Sequence, residues 1–368
     1  MKAIVLKPGT TDVKLSDRPD PEIKFPDEIK LRVLEVGVCG TDRDETHGGR
    51  AEAPPGSGEL IIGHEMLGQV VEVGPSVKNV RVGDFAVFTV RRGCKECPSC
   101  LMDFPDMCYS GNYTERGIKG HDGYQSEFAV DREKYVVRVP DCIKRFAVLC
   151  EPTSVVEKAI DEMTRIQKAR LPDWANAMNL KGKRALVAGL GPIGLLAAIV
   201  LILQDCEVLG YDIVDSKSYR PQLLNRLGGT YINGKDMLPG AIPDHFGRID
   251  LIVEAAGVAK LDYSLLEALG TNGAYVLTGV PEDKKPFEIP GGELMKQMVL
   301  KNQVLLGSVN AAKRHWEMAI RDLEEAYKRW GDSIEQLITK KVLFNKFKDA
   351  LDKHETNDIK NVVTWGEF

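Results

Sequence analysis

A short β-branched run, Arg184-Ala-Leu-Val-Ala188, passes directly into Gly189-Leu-Gly191-Pro-Ile-Gly194 and then into an apolar stretch reaching Leu203. That order constrains the chain more than any other feature in it. A buried strand, a tight glycine turn and a helix packed back on the strand form the first half of a βαβ unit, and such units build parallel sheets. A G-x-G-x-x-G string alone carries little. In this setting Gly189 makes the turn, Gly191 lets backbone approach a pyrophosphate, and Gly194 permits close helix–strand packing. The helix N-terminus then offers N–H donors and partial positive charge to phosphate oxygens. The pattern predicts a second strand over 207–211, ending at Asp212, where a carboxylate accepts hydrogen bonds from the ribose hydroxyls of a dinucleotide. Ile213-Val214-Asp215 follow, which favours NAD, while Lys217 and Arg220 lie near enough to keep NADP open.

The texture on either side of this segment differs. Residues 1 to about 155 carry short β-branched runs at 2–6, 29–36, 67–73, 85–90, 127–130 and 135–139, punctuated by Gly and Pro. That pattern predicts an all-β, barrel-like domain. From 156 helical spacing begins (Val156, Ile160, Met163, Ile166), and predicted strands at 185–188, 207–211, 250–253 and 274–277 then alternate with helices. After Asn310 comes an amphipathic helix (Trp316, Ala319, Ile320, Leu323, Ala326, Trp330) and a tail with a strand-like 361–365, expected to return to the first domain. The expected division is therefore 1–155 completed by 311–368, with 156–310 as the parallel-sheet domain. The 368 residues are 43% hydrophobic and 28% charged, the mix of a globular protein with a large core. A net charge of −5 excludes a dedicated nucleic-acid binder, whose basic footprint would show. Lys7 and Pro8 interrupt the only apolar run near the start, and the longest apolar stretch, 193–203, falls short of the roughly 20 residues that cross a bilayer. A cytoplasmic protein with no membrane partner is expected.

Four of the eight cysteines fall within fifteen residues, as Cys94-x2-Cys97-x2-Cys100-x7-Cys108. In a reducing compartment such a cluster points to metal rather than disulfides. Four thiolates at these spacings can close around one tetrahedral ion and leave no position for water, which makes the site structural. Iron–sulfur clusters also use four cysteines, but a charged lobe without hydrophobic cover suits zinc better.

Cys39 sits in Val-Gly-Val-Cys-Gly-Thr-Asp, and His64-Glu65 sit in Ile-Ile-Gly-His-Glu-Met-Leu-Gly. Taken singly, each is an ordinary core residue. Together with Gly68, Gly74 and Gly83-Asp84 they read as a mixed thiolate, imidazole and carboxylate set, the kind that leaves zinc a position for a substrate oxygen. Asp42 is placed to take the other ring N–H of His64, and Thr41 offers a hydroxyl suited to carrying a proton from a zinc-bound alcohol.

This combination resembles the zinc-dependent medium-chain dehydrogenases over essentially the whole chain. Arg91-Arg92-Gly93, the segment 114–128 (TERGIKGHDGYQSEF), Glu151-Pro152 with Glu157-Lys158, and Gly307-Ser-Val-Asn310 resemble the archaeal-type glucose 1-dehydrogenases. The resemblance implies an α/β chain with a Rossmann parallel-sheet cofactor domain and a GroES-like β-barrel catalytic domain bearing a structural zinc lobe. It implies two zinc ions per chain, the catalytic one held by Cys39, His64 and Glu65 with Glu151 as a fourth or intermittent ligand. Read without the resemblance, Glu151 serves equally as a helix N-terminal carboxylate. Further cofactor contacts implied are Leu190, Pro192 and Ile193, then Asp212 with Ile213 and Val214, Thr278-Gly279-Val280, Ser308-Val309-Asn310, and Lys360. The implied sugar contacts are Thr41, Glu115, Glu151 and Asn310, with His121 and Asp122 as loop residues. Val155 is a departure, since some members carry an acidic residue there.

The implied activity is oxidation of an aldose, D-glucose first, at C1 to the aldonolactone with hydride transfer to NAD or NADP. A polyol, secondary-alcohol or threonine dehydrogenase is the neighbouring alternative. A non-catalytic redox-sensing or binding protein is the alternative of another class, and the joint presence of Cys39, His64 and Glu65 speaks against it. Domains of this kind pair through edge strands such as 303–306, so a homodimer or homotetramer is expected.

Overall fold

Antiparallel pairing organises one part of the chain and parallel pairing the other. The computed structural model describes residues 1–175, 177–281, 285–352, 355 and 357–367. Contacts divide it into two units, Met1–Ser154 with Asn310–Phe368, and Val155–Val309.

The spine of the first unit is β1 (Glu28–Val38). Its first half alternates buried Ile29 and Leu31 with Lys30 and exposed Arg32, as a strand with one wet face does. Its second half, Val33 to Val38, is buried on both faces. β1 runs straight into α1 (Gly40–Thr46), and β2 (Glu65–Val73) pairs antiparallel with β1. The main sheet runs Val136–Val139, Phe85–Phe88, β2, β1, the tail strand Lys360–Thr364, then Ile338–Leu343, with Phe128–Arg132 also pairing β1. The tail strand is antiparallel to β1 (Asn361 opposite Val38) and parallel to Ile338–Leu343, and its Val362 and Val363 are fully buried.

A small sheet pairs β3 (Arg91–Arg92) with β4 (Thr114–Arg116), and β4 with Gly120–His121. Residues 93–113, between β3 and β4, carry all four clustered cysteines. These strands escape a hydropathy reading because charge, not apolar surface, holds them. Arg92 Nη2 and Arg116 Nη2 meet Asp131 Oδ2 at 2.5 and 2.6 Å, and all three side chains are buried.

α2 (Cys150–Arg170) leads from the first unit into the second. There β5 (Arg184–Ala188), α3 (Pro192–Leu203), β6 (Glu207–Asp212), β7 (Ile249–Glu254) and β8 (Leu269–Leu277) build the second unit. Its sheet is wholly parallel, in the order Thr230–Asn233, β6, β5, β7, β8, Val304–Gly307. Parallel strands covered on both faces read as continuous apolar runs, and β7 is buried from end to end. β8 begins five residues before the apolar run at Ala274, because Gly270, Asn272 and Gly273 hide its start. The pairing with β7 slips at that point. The fold is thus α/β: one unit holds a parallel Rossmann-type sheet, and the other is built mainly of antiparallel strands. No helix among the described residues is long and apolar enough to cross a membrane.

Candidate active site

The end of β1 and the start of β2 bring three metal-binding atoms to one point. Cys39 is the N-cap of α1: its Sγ accepts the Thr41 N–H at 3.2 Å, while its own N–H donates to Asp42 Oδ2 at 2.8 Å. Cys39 Sγ lies 3.1 Å from His64 Nε2, and Cys39, His64 and Glu65 each place a ligand atom within 4.8 Å of the others. Glu65 opposes Gly37, where a Cβ would stand 2.1 Å from Glu65 Oε2, so only glycine leaves room for the carboxylate. Behind the imidazole, His64 Nδ1 faces Asp42 Oδ1 at 3.6 Å, and both buried atoms lack a hydrogen-bond partner.

Burial works against a charged imidazole at His64, but Cys39 and Asp42 outweigh it and hold its pKa well above the ordinary value. Burial pushes the Cys39 thiol up, with His64 opposing. The pocket favours positive charge at the point where thiolate, imidazole and carboxylate converge. That donor set, with the orphaned Asp42–His64 pair behind it, fits zinc.

Glu151, at the start of α2, lies outside this three-residue set. Burial raises its pKa to about 7, with His64 and Lys360 pulling it down and Glu65 pushing it up, so it is an electrostatic neighbour of the site. Lys360 was expected as a cofactor contact, and in the structure it pairs with Glu65. The residue is 1% exposed, and its ammonium donates to both Glu65 oxygens at 2.6 Å. Thr41 is partly exposed beside Cys39.

The lobe gathers Cys94, Cys97, Cys100 and Cys108 with all four sulfurs within 4.8 Å of one another. A tetrahedral zinc with bonds of about 2.3 Å needs sulfurs about 3.8 Å apart, so the cluster fits with small adjustments. Hydrogen bonds, first that with Ser110, lower Cys94 to about 6, whereas burial raises Cys100 to about 12.

Glu115 is buried, and its Oε1 accepts from Arg91 Nη2 at 2.9 Å and from Asn310 Nδ2 at 2.8 Å. The two expected sugar contacts, distant in sequence, thus touch. Arg91 was legible only as part of a family-like segment, not as their partner. His121 ends a short strand, and Asp122 Oδ1 accepts the Ile61 N–H at 2.9 Å, a loop-holding role.

In the second unit Gly189 has φ +85°, and a Cβ there would stand 2.7 Å from Ala256 N. A Cβ on Gly194 would stand 1.7 Å from Gly189 O, so the helix can approach the strand only with glycine. At Gly191, the N-cap of α3, a Cβ meets nothing within 4 Å, which is the open space a pyrophosphate needs. Pro192 and Ile193 form the first turn of α3, and Leu190 is fully buried. A cavity of about 790 Å³ opens from here, lined by Gly189, Gly191, Asp212, Ile213 and Arg220 among others. Asp212 Oδ2 accepts the Leu190 N–H at 2.7 Å and Oδ1 the Ile213 N–H at 2.6 Å, tying the end of β6 to the glycine turn. Val214 O accepts the Tyr231 hydroxyl. Thr278, Gly279 and exposed Val280 follow β8, and Ser308 and exposed Val309 follow Val304–Gly307. All stand at the carboxyl ends of parallel strands, the edge where such sheets bind ligands. These features fit a dinucleotide.

A parallel sheet with an open glycine turn and a β unit that gathers thiolate, imidazole and carboxylate define a medium-chain dehydrogenase. Residues 25–141 match the alcohol dehydrogenase GroES-like domain, and residues 144–365 match the glucose dehydrogenase C-terminus. The glucose 1-dehydrogenase of Methanocella arvoryzae is 36% identical over 100% of both chains, and glucose 1-dehydrogenase 2 of Vulcanisaeta moutnovskia is 39% identical over 99% of each. The solved structure of Haloferax mediterranei glucose dehydrogenase in complex with NADP, Zn and gluconolactone is 32% identical, with a TM-score of 0.87 over 100% of both chains. The chain belongs to the glucose dehydrogenase family of zinc-type medium-chain dehydrogenases.

Proposed function

We propose that this protein oxidises the C1 hydroxyl of an aldose, D-glucose first, to the aldonolactone and passes the hydride to NAD or NADP. The observation that carries this is the convergence of Cys39, His64 and Glu65 within the same unit that joins Glu115 to Asn310. The glucose 1-dehydrogenases it resembles over their whole length support it. When bound, zinc supplies a Lewis acid for the sugar oxygen and the nicotinamide supplies the hydride acceptor. Cys39, His64 and Glu65 would hold the metal, with Glu151 in reserve, and Asp42 fixes the tautomer of His64. The Thr41 hydroxyl takes the proton from C1–OH and passes it to solvent. Glu115 and Asn310 bind other sugar hydroxyls, which lets the site reject analogues that leave these groups unpaired. The test is reduction of NAD and NADP over aldoses, polyols and simple alcohols, before and after chelation. Glucose-dependent, chelator-sensitive reduction is expected, and activity confined to polyols or secondary alcohols would remove the sugar contacts.

NAD is the favoured cofactor, because the Asp212 carboxylate lines the cavity where a 2′-phosphate would sit. Changing Asp212 to alanine is expected to narrow the NAD-over-NADP ratio by about tenfold, the worth of one charged hydrogen bond. An unchanged ratio would eliminate Asp212 as the discriminator.

Met295, Val299, Leu300 and Leu305 are 53%, 75%, 70% and 39% exposed on and before the edge strand Val304–Gly307. This apolar edge supports a homodimer, or a tetramer of two dimers, built through it. Light scattering giving a single-chain mass would overturn that assembly.

A further inference from the structure

The cysteine lobe is the insertion of a hairpin: Arg92 opposite Thr114 closes it, and Arg91 opposite Glu115 is the next pair. Arg91 is 6% exposed and uses its whole guanidinium. Nε and Nη2 donate to Glu115 Oε1 at 3.1 and 2.9 Å, and Nη1 donates to Asp106 O at 2.9 Å, inside the lobe and two residues before Cys108. The plane lies over Tyr113 at 3.9 Å. With Asn310 Nδ2 added, Glu115 Oε1 receives three N–H donors. Among the described residues none donates to Oε2, the atom left to accept from a sugar hydroxyl. Two residues past Arg91, a Cβ on Gly93 would stand 2.6 Å from Cys100 Sγ, so the chain leaving β3 passes directly against a lobe sulfur.

We propose that Arg91 is a positioning residue for sugar recognition, anchoring Glu115 to the four-cysteine lobe so that an ordered lobe fixes where Glu115 Oε2 points. This rests on Glu115 being a sugar contact. Only arginine has the fixed fork that reaches a carboxylate on one side and a carbonyl on the other. Lysine, a single ammonium on a flexible stem, can satisfy one of the two at a time. The lobe, structural by its closed ligand set, thereby acts on substrate affinity.

The test uses the zinc-loaded enzyme with Arg91→Gln, Arg91→Lys, Glu115→Gln and the Arg91→Gln/Glu115→Gln double variant. The readouts are kcat, KM for glucose and for NAD, zinc content, and calorimetric binding of gluconolactone in the presence of NAD. Arg91→Gln is expected to raise the glucose KM and weaken gluconolactone by about 10- to 100-fold, the range for residues that orient a binding group. The KM for NAD is expected to move by less than about twofold, zinc content to hold, and Arg91→Lys to fall between. In the Glu115→Gln background Arg91→Gln is expected to add little, because both act through one oxygen. Losses spread equally over both substrates, or additive losses in the double variant, would overturn the positioning role. A normal glucose KM in Glu115→Gln would instead overturn the sugar contact on which it rests. Should Arg91→Gln fail to fold, Arg91→Lys carries the same comparison. Opening the lobe with Cys97→Ser is expected to speed amide exchange at residues 114–116 and raise the glucose KM together. Unchanged exchange and KM would sever Glu115 from the lobe.

Discussion

Replacing Cys39 with serine is expected to lower turnover by about three orders of magnitude or more, the several kcal/mol a Lewis acid contributes to such a transition state. NADH binding is expected to stay within about twofold, because the glycine turn and Asp212 belong to the other unit. Serine is the informative replacement for a local reason. Cys39 caps α1 by accepting the Thr41 N–H, and a serine hydroxyl caps a helix well, so the backbone at the end of β1 should stay in place. What is lost is the thiolate that faces His64 Nε2. Zinc content should fall from two ions per chain to one, with the lobe ion retained. Full activity with one zinc, measured by atomic absorption beside the kinetic assay, would move the catalytic metal elsewhere.

The largest stability effect is expected at Asp131. Its carboxylate is shared by Arg92 and Arg116, all three buried, and Asp131→Asn would strand two guanidinium ions in a dry site. Breaking a buried ion pair from one side costs about 3–5 kcal/mol. Burial alone would raise the Asp131 pKa, but Arg116 and Arg92 outweigh it and hold it well below the carboxylate range. The sign follows: the folded state releases its proton more readily than the unfolded state, so the pair's stabilisation is fully present above about pH 4. It is lost as pH falls from there through the lower folded value. Chemical denaturation of wild type and variant at neutral and at acid pH checks both halves. The gap between the two is expected to be wide at neutral pH and to shrink below about pH 4; a gap that ignores pH would mean that shape, not charge, is what the aspartate supplies.

Local chemistry was legible and long-range pairing was not. β5, the glycine turn and α3 sit where the apolar run and three glycines put them, because neighbouring residues decide a strand–turn–helix. The four-cysteine lobe and the Cys39, His64, Glu65 set converge as their spacing suggested. β3 and β4 were invisible, since Arg91-Arg92 and Thr114-Glu-Arg116 are too short and too charged to show a hydrophobic period. They exist because Asp131, on another strand, neutralises Arg92 and Arg116, while Glu115 of β4 neutralises Arg91 of β3. The pairing of Lys360 with Glu65 could not be read either, since the two lie 295 residues apart in sequence and the returning tail strand joins them. The link from Arg91 to the lobe has the same origin: the pair Arg91–Glu115 is fixed by the hairpin's register, which hydropathy does not report.

The tail strand also has a consequence for the order of synthesis. Val362 and Val363 fill the main sheet between β1 and Ile338–Leu343, and Lys360 supplies the positive charge against Glu65. A nascent chain that has emerged only as far as the parallel sheet already carries Cys39, His64 and Glu65. It still lacks the strand that covers one edge of β1 and the ammonium that balances the carboxylate. The second unit is continuous in sequence and emerges whole before the tail, whereas the first must wait for its final strand. Incomplete translation products are therefore left with an open sheet edge and an unbalanced metal pocket, and the site is finished in the same step that closes the sheet.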